Sequence, residues 1–178
     1  MIPAHAPANA PANDAAHDAA GTYLGFYRLD EAARFAMGDN NGMPLGRGNG
    51  NARAVLVVED SENSAATLEI ALLGIPGISV LLTASAVEAM RILNSGEPHI
   101  QVIVTDLNMP VMDGFELIRR VRADVKLANL PIVVVSGDTD PATPSRIAAL
   151  GVNAFFPKPF SPAQVRRKLE QLLDGSSQ

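Results

Sequence analysis

Five apolar, valine-rich runs, each followed by a stretch with helical spacing, constrain this chain more than any other feature. The runs are AVLVV at 54–58, ISVLLTA at 78–84, IQVIVTD at 100–106, LPIVVVSG at 130–137 and VNAFFPK at 152–158. Unbroken hydrophobicity, rather than alternation, is what a strand covered on both faces requires. The segments between them place apolar residues three and four apart. Ala65, Leu68, Leu72 and Leu73 recur in 61–74; Ala86, Ala89, Met90 and Leu93 in 85–96; Phe115, Leu117, Ile118 and Val121 in 113–124. Helical segments are also expected at 140–151 and 161–174. The punctuation agrees. Ser61 and Ser161 stand where N-caps belong, Pro162 occupies a first helical position, and Gly74 is a stop. Strict strand–helix alternation predicts an α/β fold: a parallel sheet with right-handed crossovers and helices on both faces, doubly wound as (βα)5.

The texture upstream is different. Residues 1–21 are almost all Ala, Pro, Asn, Asp and His, too polar and proline-rich to pack, and are expected to be disordered. Residues 22–37 form a short patch rich in aromatic residues, with Tyr23, Phe26, Tyr27 and Phe35, in a chain with only 4% aromatics. Residues 38–52 read as a Gly- and Asn-rich linker. The expected division is therefore an extension over 1–52 and a folded domain over 53–175. The two readings of the patch are a docking segment or a tail from an upstream start codon, with Met37 or Met43 as later starts. His5 and His17 lie too far apart to suggest a metal site.

Composition removes several function classes. A net charge of -5 argues against a phosphate-backbone-binding surface, so no direct nucleic-acid partner is expected. The chain has no cysteine, which excludes disulfides, thiolate metal sites and cysteine nucleophiles. No apolar run approaches the roughly 18 residues of a membrane span, and the N-terminus lacks a signal-peptide pattern. A cytoplasmic protein with no membrane association is the expectation.

In a parallel sheet the functional crevice lies at the carboxyl ends of the strands. The groups expected there are Glu59 and Asp60 after the first strand, Asp106 after the third, Ser136 after the fourth and Lys158 after the fifth. Each has a bland reading by itself. Asp60 could cap a helix, Asp106 could cap loop N–H groups, Ser136 could serve a turn, and Glu59 and Lys158 could be solvated. As a set they are harder to dismiss. Two like charges about 4 Å apart repel by roughly 4 kcal/mol at an effective dielectric near 20. Three clustered carboxylates therefore raise one another's pKa or require a cation. A hard divalent ion suits them, and it commonly brings a phosphate. Lys158 and Ser136 then supply an ammonium and a hydroxyl for that phosphate, and an aspartate is a competent nucleophile toward phosphorus.

The pieces VLVVED, VIVTDLNMPVMDGFEL, PIVVVSGD and GVNAFFPKPF, in this order and spacing, resemble the receiver domain of bacterial two-component response regulators. The resemblance covers about residues 53–174 and is closest to the stand-alone, chemotaxis-type regulators. It implies a flavodoxin-like strand order 2-1-3-4-5 and a signalling module rather than a turnover enzyme. By that resemblance Asp106 is the phosphoacceptor. Glu59, Asp60, Asp106 and the backbone carbonyl of Asn108 hold Mg²⁺ or Mn²⁺. Ser136 is the switch hydroxyl, Lys158 contacts the phosphoryl group, Phe155 is the switch aromatic, and the bond before Pro159 is cis. The implied partners are a histidine kinase or histidine phosphotransfer protein and a downstream protein target.

Departures from the family pattern are small. Serine stands at position 136 for the commoner threonine, and phenylalanine at 155 for the frequent tyrosine. The positions that tune phosphoryl lifetime in this family are Asn108 and Asp138, and polar groups at both are expected to orient a hydrolytic water and shorten it. Asp113 is expected to cap a helix rather than join the site. No output domain fits behind the last helix, so the receiver surface between positions 146 and 164, or the extension, is expected to carry the signal to a partner or a second copy. Arg146, Arg166, Arg167 and Lys168 are candidate contacts, against the plainer reading of a solvated face. Two alternatives stand. One is a phosphate-independent module of receiver fold. The other is a Mg²⁺-dependent phosphohydrolase of the haloacid-dehalogenase kind, disfavoured because Asn108 replaces the second aspartate such enzymes use.

Overall fold

The computed structural model describes residues 53–175. The aromatic patch and linker expected within 1–52 lie outside the described residues. Five strands alternate with five helices: β1 (Arg53–Val58), α1 (Glu62–Leu72), β2 (Ile78–Thr83), α2 (Ala86–Ser95), β3 (Ile100–Thr105), α3 (Gly114–Ala123), β4 (Ile132–Ser136), α4 (Thr143–Ala149), β5 (Ala154–Pro157) and α5 (Pro162–Gly175). All neighbouring strands pair in parallel, in the order β2-β1-β3-β4-β5.

The valine runs are continuous because each strand feeds two cores. Ala54, Leu56 and Val58 of β1 face one way, with Ile103, Ile132 and Val134, and bury the apolar faces of α2, α3 and α4. Val55 and Val57 face the other way, with Val102, Val104, Val133 and Val135, and meet Leu68, Leu72, Val165, Leu169 and Leu173 of α1 and α5. A fully buried aliphatic side chain is worth about 1.5–3 kcal/mol, so the two layers supply most of the driving force.

Caps behave less uniformly than their sequence signals. Ser61 and Ser85 occupy N-cap positions, but neither side chain makes a capping hydrogen bond. Asp113 does: its carboxylate accepts the N–H of Glu116 at 2.7 Å. The fourth helix is shorter than 140–151. Asp140 accepts the Ala142 N–H and holds the chain in a turn, so α4 begins only at Thr143. Gly114 must be glycine, because a Cβ there would stand 2.1 Å from the Asp106 carbonyl oxygen. That close approach brings α3 directly behind the end of β3. Among the described residues, no helix is long and apolar enough to cross a membrane.

Candidate phosphoryl-accepting site

The crossing order puts β1 and β3 side by side at the centre of the sheet, with β4 and β5 beyond them. Glu59, Asp106, Ser136 and Lys158 therefore come out at one edge although they are far apart in sequence. Lys158 Nζ lies 2.7 Å from Glu59 Oε2 and 2.7 Å from Asp106 Oδ2. Ser136 Oγ donates to Asp106 Oδ1 at 2.5 Å. The same Oδ1 accepts the N–H groups of Leu107, at 2.5 Å, and Asn108, at 3.1 Å. Glu59, Asp106 and Ser136 are buried, while Asp60 is exposed at the mouth. Carboxylate oxygens of Glu59, Asp60 and Asp106 all lie within 4.8 Å of one another.

The two buried acids shift in opposite directions although they share one ammonium. Burial pushes both carboxyls up. At Asp106 the hydrogen bonds from Lys158, Ser136 and the Asn108 N–H outweigh it, and the pKa falls below the ordinary aspartate value. Glu59 has fewer donors, namely Lys158 and the Ser61 N–H, and burial wins, so its pKa rises. Lys158 is pushed down by burial, but its bonds to Asp106 and Glu59 dominate and raise it. Asp106 is thus an ionised, oriented carboxylate in a pocket with a fixed cation. Three hard oxygen donors on one side of it form a set that fits Mg²⁺ or Mn²⁺.

Phe155 is half-buried and leans on the α4 side, where Pro144, Ile147, Ala148 and Val152 surround a small pocket. The Lys158–Pro159 peptide is cis. The Glu97–Pro98 peptide is also cis, and no local sequence signal pointed to it. Asp138 is anchored within its own loop. One of its oxygens accepts the Asp140 N–H and the other the Thr143 hydroxyl, both at 2.9 Å. The Leu107 N–H and the buried Thr143 were absent from the sequence reading. A main-chain donor carries no residue signature, and Thr143 is identified only by the loop geometry.

The sequence matches the response regulator receiver domain family over residues 55–170. It is 35% identical over 123 residues to a chemotaxis protein CheY homolog of Campylobacter jejuni, covering 69% of this chain and 94% of that protein. It is 33% identical to two-component response regulator ORR11 of Oryza sativa, covering 71% of this chain and 84% of that protein. Among solved structures, a response regulator receiver protein from Pseudomonas putida superposes with a TM-score of 0.61 at 34% identity, over 67% of this chain and 96% of that one. Chemotaxis response regulator CheY4 of Vibrio cholerae does so at 0.58 and 29%, over 67% and 98%. With its strand order, its acidic cluster and these relatives, the chain belongs to the response regulator receiver domain family.

Proposed function

We propose that residues 53–175 act as a phosphoacceptor module in which Asp106 takes a phosphoryl group from a histidine kinase or histidine phosphotransfer protein. The observation that carries this reading is the environment of Asp106: an ionised carboxylate held by an ammonium, a hydroxyl and two main-chain N–H groups from three strand ends. A carboxylate oxygen attacks phosphorus, the P–N bond of the donor phosphohistidine breaks, and the imidazole nitrogen leaves with the electron pair. Asp106 Oδ2 carries only the Lys158 contact, so it keeps lone-pair capacity for that bond. Lys158 and Ser136 then face the new acyl phosphate and balance its charge. Glu59, Asp60 and Asp106, joined by the Asn108 carbonyl, would hold Mg²⁺, which supplies charge neutralisation of the phosphoryl oxygens when bound.

The half-buried Phe155 and the α4 face are the surface whose change would be read by a downstream protein or a second copy. No second acid stands two residues after Asp106, which supports a signalling acceptor over a hydrolase with turnover. The test is the intact mass of the protein after incubation with a small acyl phosphate and Mg²⁺. One added phosphoryl group is expected, absent in Asp106→Asn and absent without the metal. An adduct that persists in Asp106→Asn would remove Asp106 from this role.

A further inference from the structure

Arg146 is not a free surface charge. Its guanidinium carbon lies 3.9 Å from the ring centroid of Phe115, the second residue of α3. Its Nη1 lies 3.7 Å from Asp140 Oδ2. It belongs to a helix of seven residues whose N-cap is Ala142, a side chain that cannot cap. The start of α4 is instead held from outside by three contacts. Asp138 accepts the Thr143 hydroxyl, Asp140 accepts the Ala142 N–H, and Arg146 ties Asp140 to α3.

These contacts connect to the acceptor. Asp138 donates its N–H toward Ser136 Oγ at 3.4 Å, and Ser136 Oγ donates to Asp106. The other end connects too. Phe115 follows Gly114, whose N–H donates to the Leu107 carbonyl oxygen at 2.9 Å. Arg146 therefore bridges the start of α3, just past the loop with the acceptor's main-chain donors, and the loop that follows Ser136 at the end of β4.

Resting on the reading of Asp106 as phosphoacceptor, we propose that Arg146 is a positioning residue. By stacking on Phe115 and pairing with Asp140, it holds the loop after β4 so that Ser136 Oγ stays on Asp106. A donor already in place contributes to phosphoryl transfer without reorganisation, whereas a hydroxyl that must first be recruited does not. A half-exposed cation–π contact and a long ion pair are together worth roughly a three- to fivefold change in rate.

The test measures coupling directly. Phosphorylation rates with a small acyl phosphate and Mg²⁺ are compared in the parent, Arg146→Met, Ser136→Ala and the double variant. Arg146→Met is expected to slow the parent by about three- to fivefold and to change the Ser136→Ala background not at all, because the group it positions is gone. Arg146→Lys, which retains a cation without the planar fork, recovers part of the rate. An equal loss in both backgrounds, or no loss in the parent, overturns the proposal. The amide resonances of Leu107 and Asp138 give a second readout independent of phosphorylation. They are expected to shift in Arg146→Met and Phe115→Leu alike, and unchanged resonances overturn the proposal. A parent that takes no phosphoryl group, with those resonances still shifting, would sink the acceptor reading and leave the positioning role standing.

Discussion

The two ends of the sheet handle charge in opposite ways. At the carboxyl end, Glu59, Asp60, Asp106 and Lys158 meet across three strand ends, and their oxygens retain capacity for further ligands. At the amino end lies a cleft of about 600 Å³, bounded by Leu93, Pro98, Leu127 and Pro131, in which Asp124, Lys126 and His99 line the wall. The half-buried cation nearby, Arg122, is spent on the chain itself: it donates to the carbonyls of Ala128, Leu130, Leu150 and Gly151. What marks a reactive site is charge brought together from distant segments and left incompletely satisfied, not volume.

The largest expected effect comes from removing the cation at the carboxyl end. Lys158→Met leaves Glu59 and Asp106, with side chains 1% and 8% exposed, facing each other unpaired. A loss of about 3 kcal/mol is expected in metal-free urea unfolding, partly restored by added Mg²⁺. A loss below about 1 kcal/mol would mean the two acids are not strained, and the contrast between the ends would fail. At the amino end, Arg122→Met strips a charged donor from four carbonyls and is expected to cost about 2 kcal/mol. Here Mg²⁺ should stabilise the variant by the same increment as the parent, because no metal-binding group is touched. A Mg²⁺ increment larger than the parent's would show that the two ends are coupled.

A pH series sharpens the comparison within the carboxyl end. The folded pKa of Glu59 is raised, so its contribution is fully present below its ordinary value of 4.5 and is lost as pH rises through the folded value. Asp106 has the opposite sign: its contribution is present above its ordinary value of 3.8 and is lost as pH falls through the lowered one. Metal-free Glu59→Gln should therefore lose less stability than the parent as pH rises from about 4.5 toward neutrality. Parallel curves for the two proteins would remove the assignment. The smallest effect belongs to Gln101, whose buried Oε1 has no hydrogen-bond partner. It lies where the pairing of β1 with β3 skips a residue, between Ile100 and Val102. Gln101→Leu is expected to be neutral or to stabilise by up to about 1 kcal/mol, with no change in phosphoryl acceptance. A clear loss of stability would mean that Oε1 is satisfied by a group at the cleft.

The fold was legible because its signal is repeated and local. A strand buried on both faces has to be continuously apolar, and each of the five runs became a strand. Glu59, Asp106, Ser136 and Lys158 were legible for the same reason: they are the residues at which those runs stop. The network around Arg146 was not legible. Its partners Phe115 and Asp140 lie 31 and 6 residues away, and nothing in their own neighbourhoods distinguishes a stacked ring from an ordinary core phenylalanine. The contacts of Asp138 were not legible for a similar reason. Its carboxylate is claimed by Asp140 and Thr143, a choice made by the path of the loop.

The contacts of Lys158 have a consequence for the order of events when the chain is made. Its partners lie 99 and 52 residues earlier, at Glu59 and Asp106. Synthesis from the N-terminus delivers the carboxylates first, and their counter-charge arrives only with β5. Parallel pairings between distant segments also form late in folding. Until the last strand docks, the nascent domain holds its acids without their ammonium. The charge balance at the carboxyl end is thereby complete only when the whole sheet has closed.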